Sequence, residues 1–405
     1  MIVYFKKDEL LTAIGPAMGA VSNKNTVTSI EGILIDCKYG GDEIDTDICT
    51  ISAYDMEKGM RTTVPVKIDE PGNCIINAQK LFQIIKALPD GELKIAVDDK
   101  YRCKIEGGKS AFELRALPGE DFPNLPELRG DRGFSVPQHI IKNFINKTAF
   151  AVGINEQKAS FNGFFFKFKD SNITVVTCDG TRLALCKKDC EIENKSAGEK
   201  APDASCIIPG KSMAEVSKLV KDSEDEIEIY LARKHVIFKI GAITYFSRLI
   251  EGEYFDYDRI ISQAVPKDQE NNVYINPHEF RAGLERASLI TEERAAGTTR
   301  AWVKLMLEDQ LMKISSVATN GSGSAYDEVM IDHKGADMAI GFNCRYLLDA
   351  MRACSDAGDE VKISFSGSEK GIIITPSDKP KEGDKNEETN YFLFFVLPVR
   401  MNAPN

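Results

Sequence analysis

The chain has 405 residues, 43% of them hydrophobic and 28% charged, with a net charge of −11. That length exceeds one hydrophobic core and implies two to four domains. No apolar run reaches the roughly 18 residues a membrane-spanning helix needs, and the acidic balance by itself argues against nucleic acid as a partner.

The opening segment, "MIVYFKKDELLTAIGPAMGAV", lacks a basic stretch leading into a continuous apolar core and a cleavage site. It is read as a mature start, with a cytoplasmic location and no membrane partner. An alternating strand from Ile2 passes into a segment with apolar residues three and four apart, the pattern of an amphipathic helix. The same layout returns in "FSVPQHIIKNFINKTAFAV" from Phe134 and in "VYINPHEFRAGLERASLIT" from Val273. A second helix, an acidic turn and another strand follow in each copy, from Lys80, Lys211 and Arg345, at separations of 131 and 134 residues. "FELRALPGEDF" (112–122) also aligns with "YFSRLIEGEYF" (245–255) at a constant offset of 133, matching Arg115 with Arg248 and Gly119 with Gly252.

Self-similarity at a fixed period marks a repeat architecture. The expected fold is α+β: three tandem domains over 1–128, 129–266 and 267–405, each with two helices and two small antiparallel sheets. Linkers are expected near 126–133 and 262–272, and the polar run at 377–389 reads as a solvated loop.

Five of the six candidate helices carry net positive charge, so the strands and loops are more acidic than the chain as a whole. Helix propensity alone accounts for such an excess. A helix-lined surface facing phosphates also accounts for it, and would attract them weakly, without sequence preference and in a salt-sensitive way. No recognition-helix module or aromatic stacking platform is visible.

The stretch "TCDGTRLALC" (177–186) places an Asp-Gly turn and an arginine before an apolar run. It reads as a catalytic corner, an anion-binding loop, the lip of a docking groove or simply a hairpin. An enzyme reading finds little support. His139, His235, His278 and His333 are scattered, and no GxSxG, HExxH or P-loop occurs. "ATNGSGSAY" does not open onto a helix. The ten cysteines form no CxxC pair, and Cys186 and Cys190 have no nearby histidine, so they read as reduced thiols, with no metal or cofactor expected. A monomeric repeat scaffold is the other alternative; it would need polar caps at both ends.

These repeats, together with "TCDGTRLALC", "LPGEDFPNL", "EGEYFDYDRII", "GFNCRYLLDAM" and "FVLPVRM", resemble the bacterial DNA polymerase III beta-subunit family, the sliding clamps. The likeness spans essentially the whole chain. It implies a non-catalytic processivity factor: a head-to-tail homodimer whose helices line a hole for double-stranded DNA. It also implies tethering of the DNA polymerase III alpha subunit, the clamp loader and other proteins carrying a clamp-binding motif.

By the same resemblance, one wall of a partner-peptide cleft is Phe161, Cys178, Gly180, Thr181, Arg182 and Leu183. The facing side is Phe255, Arg259, Ile260, Asn343 and Tyr346, with Phe395, Val396, Leu397, Pro398, Val399, Arg400 and Met401 from the tail. Arg182 and Asn343 are expected to hydrogen-bond the peptide. Many relatives have His at Thr181 and Pro at Phe255, and Asn402 to Asn405 extend past the usual end. The DNA contacts implied are Lys24, Gln157, Lys158, Lys80, Lys142 and Lys211. The dimer contact implied sets Phe112 and Leu114 against Leu289 and Ile290 of a second copy, with Lys109 approaching Asp327.

Overall fold

A computed structural model describes residues 1–22, 28–40, 46–126, 130, 132–196, 203–266, 271–291, 302–318, 323–379 and 391–400. Seven helices fall among them: α1 (Lys7–Ala17), α2 (Ala78–Ala87), α3 (Gln138–Thr148), α4 (Gly210–Leu219), α5 (Tyr257–Ala264), α6 (Pro277–Thr291) and α7 (Cys344–Ala353). None is long and apolar enough to cross a membrane. Every strand pairing among the described residues is antiparallel.

The six helices expected from the repeats form in place. α1, α3 and α6 follow strands Ile2–Lys6, Arg132–Pro137 and Asn272–Ile275; α2, α4 and α7 precede Glu92–Val97, Glu226–Leu231 and Val361–Phe365. Local chemistry explains the starts. Asn77 accepts from the Lys80 N–H at 3.1 Å and Asn343 from the Arg345 N–H at 3.0 Å, each satisfying an otherwise orphaned helix donor. Leu81 and Ile85, four apart, then bury one face of α2, and Leu347 with Met351 does the same on α7.

α5 departs from two helices per domain and reaches into the expected 262–272 linker. Asp256 caps it, accepting from the Arg259 N–H at 3.0 Å.

The chain divides into two compact units. The first comprises Met1–Lys142, Ile192–Pro202 and Lys211–Leu249; the second Asn143–Glu191, Asp203–Gly210 and Ile250–Asn405. The expected middle domain is shared between them, because sheets do not stop at repeat boundaries. In the first unit one sheet has five strands, with Ser110–Arg115 at its edge. A ten-stranded sheet joins Lys58–Pro65 of the first repeat to Ile243–Arg248 of the second, with Tyr245 opposite Met60. Its core alternates inward along Ile33, Ile35 and Cys37, all fully buried. Cys37 lies opposite Cys49 with the sulfurs 3.0 Å apart.

In the second unit a single twelve-stranded sheet joins Arg182–Asp189 to Tyr391–Val396, with Phe394 opposite Ala184. The five-stranded sheet stays within the first repeat, but the other small sheets expected merge into two that run through the repeats, since pairing an edge satisfies backbone groups that would otherwise face solvent. Val303, Leu305 and Leu307 point into its core with Phe280, Leu284 and Leu347.

One buried cation secures this unit. Lys147, on α3, is 3% exposed; its ammonium donates to the Ala353 carbonyl at 2.7 Å, pairs with Asp356 and lies 4.9 Å from the Phe392 ring centroid. Ala353 closes α7, where the helix dipole favours a positive charge. Asp356→Asn will lower unfolding free energy by about 1–2 kcal/mol, because it removes the negative charge that balances the buried ammonium and leaves only neutral acceptors and a ring, though the exposed position of the carboxylate limits the loss. Urea denaturation midpoints check this.

Candidate functional site

Strands Asn172–Cys178 and Arg182–Asp189 are joined by a three-residue turn that its own first side chain holds together. Asp179 Oδ1 accepts from the N–H groups of Thr181 at 2.9 Å and Arg182 at 3.0 Å, and from the Thr181 hydroxyl at 2.7 Å. Gly180 sits at φ +90°, a conformation that favours glycine.

Arg182 then turns inward. Its Nε donates to Asp179 Oδ2 at 2.9 Å and its Nη1 to Asp349 Oδ2 at 2.8 Å, while the guanidinium stacks 4.2 Å from the Tyr346 centroid. Two carboxylates and a ring fix its plane.

Beside this turn lies a cavity of about 460 Å³. It gathers Phe161, Cys178, Gly180, Thr181, Arg182 and Leu183 on one side, Phe255 and Ile260 on another, and Phe395 and Leu397 from the tail. Burial pushes the Cys178 thiol up to about 11, so it stays protonated at neutral pH. Phe161 and Phe255 meet edge to face at 5.3 Å. The tail is pinned on both sides: the Leu397 N–H donates to the Thr181 carbonyl at 3.0 Å and the Val399 N–H to the Gly341 carbonyl at 2.9 Å.

Some expected residues play other parts. Val396 is wholly buried opposite Arg182, and Asn343 uses its side-chain oxygen to cap α7. Tyr346 supports Arg182; Arg259, Pro398, Val399 and Arg400 do not line the cavity. Met401 and Asn402 to Asn405 lie outside the described residues.

Five lining residues were not anticipated: Gln263 and Ala264 from α5, and Glu369, Lys370 and Gly371 from the turn before strand Ile372–Pro376. A Cβ on Gly371 would fall 2.2 Å from the Phe395 ring, so only glycine admits that ring. The result is an apolar trough with a polar rim, suited to hydrophobic side chains of a short segment. Among the described residues no cluster of His, Cys, Asp or Glu could hold a metal ion.

Several strand edges have no partner among the described residues, and two of them carry residues implied for the dimer or lie beside them. Ser110–Arg115 ends its sheet with Phe112 38% exposed and Leu114 half-buried. Ser324–His333 pairs with Leu311–Val317 on one side, but on the other meets Asn272–Ile275 only at Ile331 to His333. Its first seven residues therefore form an edge, with Tyr326 and Met330 exposed. On α6, Leu289 is 71% exposed and Ile290 half-buried. Asp327 is held by Arg286, whose guanidinium keeps the carboxyl below its ordinary range.

Of the lysines implied for DNA, Lys80 and Lys211 are exposed on α2 and α4, as is Gln157 in its loop. Lys142 donates to the Val220 carbonyl at 3.1 Å, and Lys158 lies over Phe161 and Phe255. Lys24 lies outside the described residues.

Models of the N-terminal, central and C-terminal domains of the DNA polymerase III beta subunit match residues 1–126, 135–256 and 262–383. The beta sliding clamp of Bacillus subtilis is 30% identical over 401 residues, and that of Staphylococcus epidermidis strain RP62A 29% identical over 404, with 98% of each chain covered. The crystal structure of the DNA polymerase sliding clamp from Bacillus subtilis matches with a TM-score of 0.85 at 27% identity, covering 99% of this chain and 100% of that one. With three family domains in order and similarity over nearly the full length, the chain belongs to the DNA polymerase III beta-subunit family, the sliding clamps, which are non-catalytic processivity factors of DNA replication.

Proposed function

We propose that two copies of this chain close head to tail into a ring around duplex DNA in the cytoplasm. On this reading the cleft at Arg182 tethers the DNA polymerase III alpha subunit, the clamp loader and other proteins through a short hydrophobic peptide. The boundaries 1–128, 129–266 and 267–405 are then three arcs of each half-ring.

One observation carries the ring. Ile243–Arg248 adds to Lys58–Pro65, and Tyr391–Val396 adds to Arg182–Asp189, in the same antiparallel sense. The receiving strands follow matching turns, since Asp55 accepts from the N–H groups of Glu57 and Lys58 as Asp179 does from Thr181 and Arg182. Ser110–Arg115 and Ser324–His333 are the third donor and the third receiver, each open on the corresponding edge.

The hairpin-closing pairs Tyr54 with Gly59, Cys178 with Leu183 and Val317 with Ser324 align the receivers. Carrying the register across puts Phe112 opposite Ala325 of the partner subunit, and Lys109 opposite the partner's Glu328. A head-to-tail pair of chains then leaves neither edge open.

A ring holds DNA by topology, so an acidic chain that exposes Lys80 and Lys211 is sufficient: weak contacts to phosphates let it slide. Light scattering over a dilution series tests the closed form. A mass of twice 44.9 kDa, with retention on circular but not linear DNA, is expected. A strict monomer at high concentration overturns it.

A further inference from the structure

Lys158 was expected at DNA, yet its ammonium lies 4.9 Å from the Phe161 centroid and 5.2 Å from that of Phe255. Both rings line the cavity. The charge is near enough to the floor to act on the Cys178 thiol, opposing the effect of burial. Most other charged groups around this end are engaged or turned away. Arg182 is held by Asp179 and Asp349, and Asp256 caps α5. Asp258 faces a separate depression with Lys167 and Lys187. Glu369 and Lys370, adjacent and of opposite sign, line the cavity from a different turn.

Among the described residues no carboxylate pairs with Lys158; its contacts are the two rings. A cation resting on aromatic faces keeps its charge while losing part of its water shell.

We propose that Lys158 is a specificity residue of the cleft, selecting peptides that carry an acidic side chain next to the hydrophobic anchor seated on Phe161 and Phe255. The inference rests on the cleft reading above. A carboxylate arriving there breaks no existing ion pair, so its attraction to the ammonium adds to the burial of the anchor. A basic residue at the same place is repelled, which rejects wrong partners as well as favouring right ones.

The test uses the full-length protein and fluorescein-labelled short peptides with one leucine anchor, differing only in aspartate, asparagine or lysine beside it. Anisotropy at low salt is expected to rank aspartate over asparagine over lysine by roughly fivefold per step, narrowing as salt screens the charge. Lys158→Met keeps the aliphatic stem on the rings and should bring the three peptides within about twofold of each other, while Lys158→Arg restores the ranking. An unchanged ranking in Lys158→Met, or none in the wild type, overturns the proposal. If even the asparagine peptide fails to bind wild-type protein of ring mass, the cleft reading itself falls, and this inference with it.

Discussion

If the ring closes as proposed, Leu289→Lys will turn the protein into a 44.9 kDa species at concentrations where the wild type is expected to have twice that mass, and will abolish the expected retention on circular DNA. Leu289 is 71% exposed on α6, so the change leaves the fold intact and acts only where a second copy covers the position. Losing a buried leucine and inserting a charge without a partner costs on the order of 3–5 kcal/mol per interface, a weakening of roughly a hundredfold or more. Adding Phe112→Glu to the same chain should recover part of the dimer, because the new lysine then meets a carboxylate from the partner subunit. A dimer of undiminished stability in Leu289→Lys would move the interface elsewhere.

Arg182→Ala is expected to weaken binding of a cleft peptide at least about tenfold while the dimer mass stays unchanged. The side chain lines the cavity, closes the Asp179 turn and reaches Asp349 on α7. Its removal leaves Asp179 without its cation and Asp349 with only Arg352, 3.7 Å away, and withdraws the stack on Tyr346. A loss of about 1–2 kcal/mol of stability should accompany the loss of binding. Arg182→Lys should not restore affinity, since a point ammonium cannot span both carboxylates while lying flat on the ring. Anisotropy and urea midpoints on the same samples separate the two effects. Unchanged peptide affinity in Arg182→Ala counts against the cleft.

Much of this was legible in the sequence because it is periodic. The apolar spacing of Leu81 and Ile85, and of Leu347 and Met351, marks helices, and the offset of 133 exposes the repeat. α5 was missed although its signs are present: Asp256 in a capping position and Tyr257 with Ile261 four residues later. At eight residues it offers too few turns for periodicity to stand out. The place of Asn343 before an amphipathic run also marks it as the cap of α7, a role the resemblance alone does not bring out.

Glu369, Lys370 and Gly371 reach the cleft only because Tyr391–Val396 pairs with Ile372–Pro376, a long-range register that no local pattern announces. Phe112 and Leu289 read as core by hydrophobicity alone; their exposure is a tertiary fact.

The sheets that pass through repeat boundaries change what counts as a module. Lys58–Pro65 and Ile243–Arg248 are far apart in the chain, yet each completes the other's ladder. A chain cut at residue 128 would therefore strip the first repeat of a neighbour that satisfies its backbone, and would not liberate a self-sufficient domain. Sheet continuity therefore predicts two cooperative blocks of unfolding per chain, against the three repeats written in the sequence, and native-state hydrogen exchange checks the number. The repeats supply the parts, and on this expectation the hydrogen-bonded ladders decide which parts melt together.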